Sequence, residues 1–264
     1  MSTDPWALLD AARTVLVVHA HPDDETLSTG ALLADLAARG TRVVLLTATR
    51  GEEGEIVPGA VDPSDPRPLA EIRDDEIAAA TSALGIPERH QLGTAPALAA
   101  GAAPRIYRDS GMRWIREGLA GPAVSSGEDA FTRRPEEDAV ADLLALLDHV
   151  GPEVVIGYDD AGTYGHPDHV HAHRVTAAAC ARAGLPMLEI ASGEEPSAAD
   201  EGAAGFSWRE HPGVAASVRR AAEAYGTQFT VLGEDPSGDG TLRIRHVGGQ
   251  DDAVRMLTGL RVRC

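Results

Sequence analysis

The sequence predicts an α/β protein, Rossmann-like, with three α/β/α layers around a mostly parallel sheet. Apolar runs of strand length alternate with helical patterns up to about residue 184. Such alternation is typical of a parallel sheet that carries helices on both faces. Hydrophobic residues make up 43% of the 264 residues, so the chain can bury one sizeable core.

The first half of the chain contains two strong strand–helix pairs. TVLVVHA (14–20) predicts a buried strand, and the segment 25–40 predicts a helix that ends at a glycine. A second buried strand is predicted over 41–49, followed by a loop and a helix over 69–86. A short strand near 90–92 completes this part.

The middle of the chain begins with an irregular segment rich in Gly, Pro and Ala, over 94–135. A third helix is predicted over 135–151, directly followed by a strong strand over 152–159. The next helix is predicted over 166–184, with a proline suited to its first turn.

The pattern weakens after about residue 185. A flexible stretch is predicted over 196–205, a late helix over 214–226 and a short strand over 241–247. We therefore predict one domain over 1–264, with a shortened and variable C-terminal part from about 185.

Composition and charge exclude several classes of function. The formal net charge of −18 disfavours binding to a phosphate backbone, so no nucleic-acid partner is expected. There is no apolar run of bilayer length and no signal peptide, so we expect no membrane partner. Cys180 and Cys264 lie far apart, which argues against a disulfide framework and favours a cytoplasmic localisation. A homo-oligomer stays possible.

Two polar clusters follow predicted strands. HAHPDDE (19–25) follows the first strand, and YDDAGTYGHPDH (158–169) follows a later one. Six of the ten histidines lie in the first cluster, in the second cluster, or in the helix that continues from the second cluster. Ligands of parallel α/β folds bind beyond the carboxyl ends of the strands, so the fold could bring both clusters to one crevice.

The residue types in these clusters favour a metal site over simple helix capping. Zinc binds imidazole nitrogen and carboxylate oxygen, and catalytic zinc keeps three protein ligands and a water. A remaining carboxylate can then act as a base toward that water. Acids that cap helices, a dinuclear site and a purely structural site are the alternatives that the residues leave open.

The motifs AHPDDE (20–25) and GHPDH (165–169) carry a resemblance to a known family. The chain resembles the LmbE-like, or PIG-L-like, zinc-dependent N-acetylglucosaminyl deacetylases, from about residue 13 to 184 and more weakly around 214–229. The stretches GEEGE (51–55) and RDSGM (108–112) make it look closest to enzymes of the mycothiol pathway. The family often has His and Gln near its last core helix; here AYGTQ supplies only Gln228.

The resemblance implies a role for each matching residue of the metal centre. His21, Asp24 and His169 would hold Zn2+, with Fe2+ as a possible replacement. Asp23 would be the general base that deprotonates the metal-bound water.

The resemblance also implies roles around this centre. His166 would be a protonated partner of the oxyanion or of the leaving amine, and Asp168 would orient a histidine. Tyr164 would lie near the oxyanion. The residues expected to bind sugar or inositol hydroxyls are Arg73, Asp109 and Glu55. His19 and His173 are expected to support the site or to pack in the core.

The function predicted from the resemblance is removal of an acetyl group from an N-acetylated amino sugar. The expected substrate is a small molecule like N-acetylglucosaminyl-inositol. Alternatives within the family are amide cleavage of mycothiol S-conjugates and deacetylation of an amino sugar in a secondary metabolite. Outside it, a metallo-β-lactamase-like hydrolase is disfavoured, because position 24 is Asp rather than His. A non-catalytic Rossmann-like binding domain is also disfavoured, because no GxGxxG pattern follows the first strand.

Overall fold

A computed structural model of the chain describes residues 4–116, 119–123, 126–192, 205–236 and 238–263. The strands in this part are β1 (Thr14–His19), β2 (Arg42–Thr47), β3 (Arg89–Gln91), β4 (Met112–Arg116), β5 (Leu119–Pro122), β6 (Val154–Tyr158), β7 (Met187–Ile190), β8 (Ser207–Glu210), β9 (Phe229–Glu234), β10 (Leu242–His246), β11 (Asp251–Val254) and β12 (Leu257–Val262). The helices are α1 (Pro5–Ala11), α2 (Asp24–Ala38), α3 (Leu69–Leu84), α4 (Glu136–Val150), α5 (Gly162–Gly165), α6 (Pro167–Ala183) and α7 (Ala215–Ala224). None of these helices is long and apolar enough to cross a membrane.

The central sheet has seven strands in the order β3-β2-β1-β6-β7-β12-β8. Strands β3, β2, β1, β6 and β7 pair in parallel, whereas β12 pairs antiparallel with both β7 and β8. The predicted α/β class with a mostly parallel sheet is therefore confirmed.

Alternate residues of β1 belong to two separate cores. Val15 and Val17 pack in the core that also contains residues of α2, α3 and α7, and Leu16 and Val18 pack in the core that contains residues of α4 and α6. A strand that is covered on both faces needs apolar residues at every position. This explains the uninterrupted run TVLVV in the sequence.

The order of the strands creates a crevice beside β1. The chain leaves β1 toward β2 on one side, and β6 pairs with β1 on the other side. A reversal of this kind is a topological switch point, where ligands of open α/β sheets bind. The motifs that follow β1 and β6 meet there, as their positions after the two strands predicted.

The chain after residue 185 contains more strands than the sequence indicated. Only the helix over 214–226 and the strand over 241–247 were predicted there, whereas β7, β8 and β12 extend the main sheet and β9, β10 and β11 form a separate antiparallel sheet. These strands are short, and exposed residues interrupt the apolar pattern of β8 and β9. The predicted flexible stretch 196–205 lies almost wholly outside the described residues.

Candidate active site

The turn between β1 and α2 has a strained backbone at Asp23. Asp23 has φ 106°, and Thr163 has φ 61°; these are the non-glycine residues with positive φ in the described part of the chain. Such a conformation is costly for a residue with a side chain and is held only by its surroundings. The amide of Asp23 donates to Glu25 Oε2 at 3.2 Å. Both strained residues belong to the crevice, which singles it out as a functional site.

Three side chains converge at the base of the crevice. His21 Nδ1 lies 3.2 Å from His169 Nε2 and 3.2 Å from Asp24 Oδ2, and His169 Nε2 lies 3.3 Å from Asp24 Oδ1. Ligand atoms at about 2.0–2.1 Å from a tetrahedral zinc ion lie about 3.3 Å from one another. The two imidazole nitrogens therefore have the spacing of two ligands of one divalent cation, and Asp24 presents a different carboxylate oxygen to each of them.

Two further groups of donors overlap with this set. The ligand atoms of His21, His166 and His169 lie within 4.8 Å of one another, and so do those of His21, Asp109 and Asp168. His21 belongs to both groups. The structure therefore makes His21 central to any cation site in this crevice.

Hydrogen bonds orient both histidines of the donor set. Thr163 Oγ1 donates to the carbonyl of Gly162 at 2.6 Å, so it accepts from His169 Nδ1 at 2.8 Å. His21 Nε2 lies 3.2 Å from Asp168 Oδ2, which also accepts from the amide of Ser110 at 2.9 Å. Partners of this kind fix the tautomer and ring orientation of metal-binding histidines. They leave His169 Nε2 and His21 Nδ1 to face Asp24.

A buried tyrosine that the sequence analysis did not select supports the same donors. The hydroxyl of Tyr158 donates to Asp24 Oδ2 at 2.7 Å and accepts from the amide of Ala20 at 2.9 Å. Its ring stacks on His169 with the centroids 4.3 Å apart. His19 Nδ1 also lies 3.1 Å from this hydroxyl. The signal in the sequence was a tyrosine at the end of the strand beside β1.

Charges and burial in the crevice raise the pKa of His21 and that of Asp23. Burial opposes the charge of His21, but the carboxylates of Asp109, Asp168 and Asp24 raise its pKa well above 6.5. Burial, followed by the nearby charges of Asp24 and Glu25, raises the pKa of Asp23 well above 3.8. Burial also opposes the charge of Asp24, but His169 and His21 lower its pKa well below 3.8. Adjacent carboxyl groups thus differ strongly in proton affinity.

His166 differs from the expectation of a protonated ring. Burial, together with the positive charges of His21 and His169, lowers the pKa of His166 to about 2. Its Nδ1 accepts from the amide of Asp168 at 3.2 Å, as the side-chain cap of α6. A neutral imidazole that accepts at Nδ1 carries its proton at Nε2. His166 is therefore a neutral hydrogen-bond donor in this arrangement.

The donor set opens into a cavity of about 850 Å³. Asp23, Arg73, Asp109 and Tyr164 line this cavity, as the sequence analysis expected of residues near the substrate. Burial lowers the pKa of Arg73, and its guanidinium donates to the carbonyls of Gly51 and Glu55. The side chain of Tyr164 is 40% exposed.

The side chain of Glu55 does not reach the cavity. It is exposed and is absent from the lining, and only the carbonyl of Glu55 takes part, through Arg73. The expectation that Glu55 binds substrate directly is corrected accordingly. The reason is the loop geometry, which turns the backbone of this stretch toward Arg73.

The C-terminal strands form another part of the cavity wall. Gln228 lines it and donates to the carbonyl of Pro22 at 2.7 Å. The other residues of this wall, hereafter the C-terminal wall, are Trp208, Asp235, Arg243, His246, Asp251, Asp252, Arg255, Leu257, Thr258 and Gly259. Apart from Gln228, these residues could not be predicted from the sequence, because their proximity depends on the packing of short strands.

Comparisons with known proteins agree with this geometry. The family profile described as "PIG-L: GlcNAc-PI de-N-acetylase" matches residues 16–180. The chain is 43% identical over 168 residues to the 1D-myo-inositol 2-acetamido-2-deoxy-alpha-D-glucopyranoside deacetylase of Kineococcus radiotolerans, covering 64% of this chain and 45% of that protein. It is 46% identical over 169 residues to the protein of the same name from Acidothermus cellulolyticus, covering 62% and 52%. The chain thus spans about half the length of the curated relatives it matches.

A solved structure shows the same fold at lower identity. The N,N'-diacetylchitobiose deacetylase from Pyrococcus horikoshii superimposes with a TM-score of 0.55 at 18% identity, covering 84% of this chain and 74% of that chain. At this identity the likeness concerns the fold alone.

Proposed function

The chain belongs to the PIG-L family of GlcNAc-PI de-N-acetylases, and on that premise we propose that it is a metal-dependent hydrolase of N-acetylated amino sugars. The reaction is hydrolysis of the acetamide to acetate and a free amine. The observation that carries the proposal is the convergence of His21 Nδ1, His169 Nε2 and the carboxylate of Asp24, at 3.2–3.3 Å from one another, beside Asp23, whose pKa is raised by burial. The substrate that the relatives' names favour is N-acetylglucosaminyl-inositol.

The metal would be Zn2+, with Fe2+ as an accepted replacement, held by His21, Asp24 and His169. When bound, a cation of this kind polarises the acetamide carbonyl and lowers the pKa of water. Asp168 and Thr163 hold the two histidines in the required tautomers. Tyr158 holds the carboxylate of Asp24.

Asp23 is the general base of the proposed reaction. A base works best when its pKa lies near the working pH, and burial beside Asp24 and Glu25 raises the pKa of Asp23 in that direction. Asp23 takes the proton of the attacking water and then carries the only new proton in the crevice. It therefore also donates to the departing amine.

His166 stabilises charge on the carbonyl oxygen rather than supplying a proton. Its neutral ring presents Nε2–H, and it lines the same cavity as His21, Asp24 and His169, which supports this role. Fixed donors of this kind stabilise the oxyanion of a tetrahedral intermediate. Tyr164 is exposed at the rim and offers a second hydroxyl donor, while Asp109 and Arg73 bind hydroxyl groups of the sugar.

The experiment measures metal content and amine release together. Wild type, His21→Ala and the control His149→Ala are compared, since His149 is exposed and absent from the cavity lining. The substrates are N-acetylglucosaminyl-inositol, N-acetylglucosamine and a mycothiol S-conjugate. We expect about one metal ion per chain and amine release in wild type and control, both lost in His21→Ala. A protein without metal, or with metal and no turnover of any N-acyl sugar, would contradict the proposal.

A further inference from the structure

The C-terminal wall lies beyond the part of the chain that the family profile matches. The match ends at residue 180, whereas Trp208, Arg243, His246 and Asp252 all follow it and line the same cavity as the donor set. The cavity of about 850 Å³ reaches from His21 to these residues. An N-acetylhexosamine is one ring with one acetamido arm and fills only part of such a space. The wall is therefore placed to contact whatever the sugar carries.

Trp208 provides an apolar plate on this wall. It pairs with Gly259 across β8 and β12, and a Cβ atom at Gly259 would lie only 2.8 Å from Trp208 Cε2. The absence of a side chain at position 259 is thus what allows the indole to lie close against the strand. Flat aromatic rings present large, rigid contact surfaces at low entropic cost. The C–H face of a sugar or cyclitol ring is complementary to such a plate.

Arg243 provides polar groups on the same wall. Its exposed guanidinium makes no hydrogen bond or ion pair within the described ranges of the chain. The next arginine of the strand, Arg245, is by contrast paired with Asp251 at 2.6 Å. His246 Nε2 lies 3.1 Å from Asp252 Oδ2, which fixes the imidazole on the wall. The C-terminal wall therefore carries both hydrogen-bond donors and hydrogen-bond acceptors.

The balance of charge on the wall distinguishes between classes of ligand. Asp235, Asp251 and Asp252 stand against Arg243 and Arg255, so the wall has no excess of positive charge. Asp251 is also paired with Arg245 and Asp252 with His246, so a phosphate or carboxylate group would find no net positive charge there. Hydroxyl groups both donate and accept, and they match a mixture of guanidinium and carboxylate.

We propose that the C-terminal wall is the binding site for a second, uncharged polyhydroxylated ring, with Trp208 and Arg243 as the residues that select for it. The proposal rests on the proposed function and narrows its substrate class to two-ring N-acetylglucosaminides. The N-acetylglucosamine ring lies over the donor set, and the attached cyclitol or sugar ring lies against Trp208.

The test compares one-ring and two-ring substrates on metal-loaded enzyme. We expect Arg243→Ala and Trp208→Ala to lower kcat/KM for N-acetylglucosaminyl-inositol about tenfold or more, chiefly through KM, and to change that for N-acetylglucosamine less than about twofold. Trp208→Phe keeps a flat ring and should retain most of the preference, which guards against a folding defect in Trp208→Ala. Arg220→Ala is the matched control, because Arg220 is exposed on α7 and absent from the lining.

The results distinguish a wrong assignment of the C-terminal wall from a wrong proposed function. An equal loss on both substrates, or no loss on either, would overturn the assignment of the wall while the deacetylase function stands. Absence of turnover by wild type on both substrates would instead overturn the proposed function, and the assignment with it.

Discussion

The hydroxyl of Thr163 lies 2.8 Å from Nδ1 of His169 and can only accept there, because it donates to the carbonyl of Gly162 at 2.6 Å. This bond turns the lone pair of His169 Nε2 toward His21 and Asp24. It also explains why the chain tolerates the strained backbone of Thr163, with φ 61°. A histidine ligand is thus positioned by a residue just before the GHPDH motif.

Thr163→Val should weaken metal binding by about 10- to 100-fold, because it removes the acceptor for His169 Nδ1–H and keeps the shape of the side chain. The dissociation constant is measured by competition with a chelator. Thr163→Ser restores a hydroxyl group and should recover most of the affinity. Equal affinities for Thr163→Val and wild type would show that the bond does not position His169.

Asp23→Asn should retain about one metal ion per chain and lose about 10²- to 10⁴-fold in kcat, the range of general base catalysis. The expected reason is that the amide is nearly isosteric with the carboxyl group but takes no proton from water. Metal content and kcat are determined on the same preparation. Asp24→Asn is the comparison, since it should lose metal as well. A metal-free Asp23→Asn protein would place Asp23 among the ligands.

The pH dependence of kcat/KM should show an acidic limb well above the ordinary pKa of aspartate. Burial and the neighbouring carboxylates raise the pKa of Asp23, and the base works only when deprotonated, so activity falls as the pH falls through that raised pKa. Burial also raises the pKa of Glu25 to about 7, so Glu25 carries a negative charge chiefly above that pH. Glu25→Gln removes this charge beside Asp23 and should shift the upper part of the limb to lower pH. A limb that does not move would show that Glu25 does not act on Asp23.

The part of the fold that could be predicted from the sequence is the part with two covered faces. β1 is buried on both sides, so its residues form a run that only a central strand explains. The motifs at His21 and His169 could be placed on one crevice, since each follows a parallel strand and β1 pairs with β6. A strand that is covered by helices on both faces consists almost entirely of apolar residues, and this pattern is visible in the sequence.

The residues that support the donor set and the residues of the C-terminal wall have no comparable pattern in the sequence. Tyr158 closes an apolar strand, where a tyrosine is ordinary, and only the pairing of β6 with β1 brings its hydroxyl to Asp24. The strands β9, β10 and β11 are short and half exposed, so their alternation is weak. Arg243 reaches the cavity through tertiary packing that local pattern does not encode. The charge state of His166 likewise depends on neighbours from β1 and α6.

Tyr158→Phe should lower the free energy of unfolding by about 1–3 kcal/mol, the cost of leaving a buried polar group unpaired. The hydroxyl of Tyr158 is buried and serves the amide of Ala20 and the carboxylate of Asp24 at once. Phenylalanine fills nearly the same space, so the loss reports the hydrogen bonds rather than a cavity. Urea denaturation is carried out with chelator present, which separates this effect from metal binding. Stability of Tyr158→Phe equal to that of wild type would show that water or a shifted side chain satisfies the amide of Ala20.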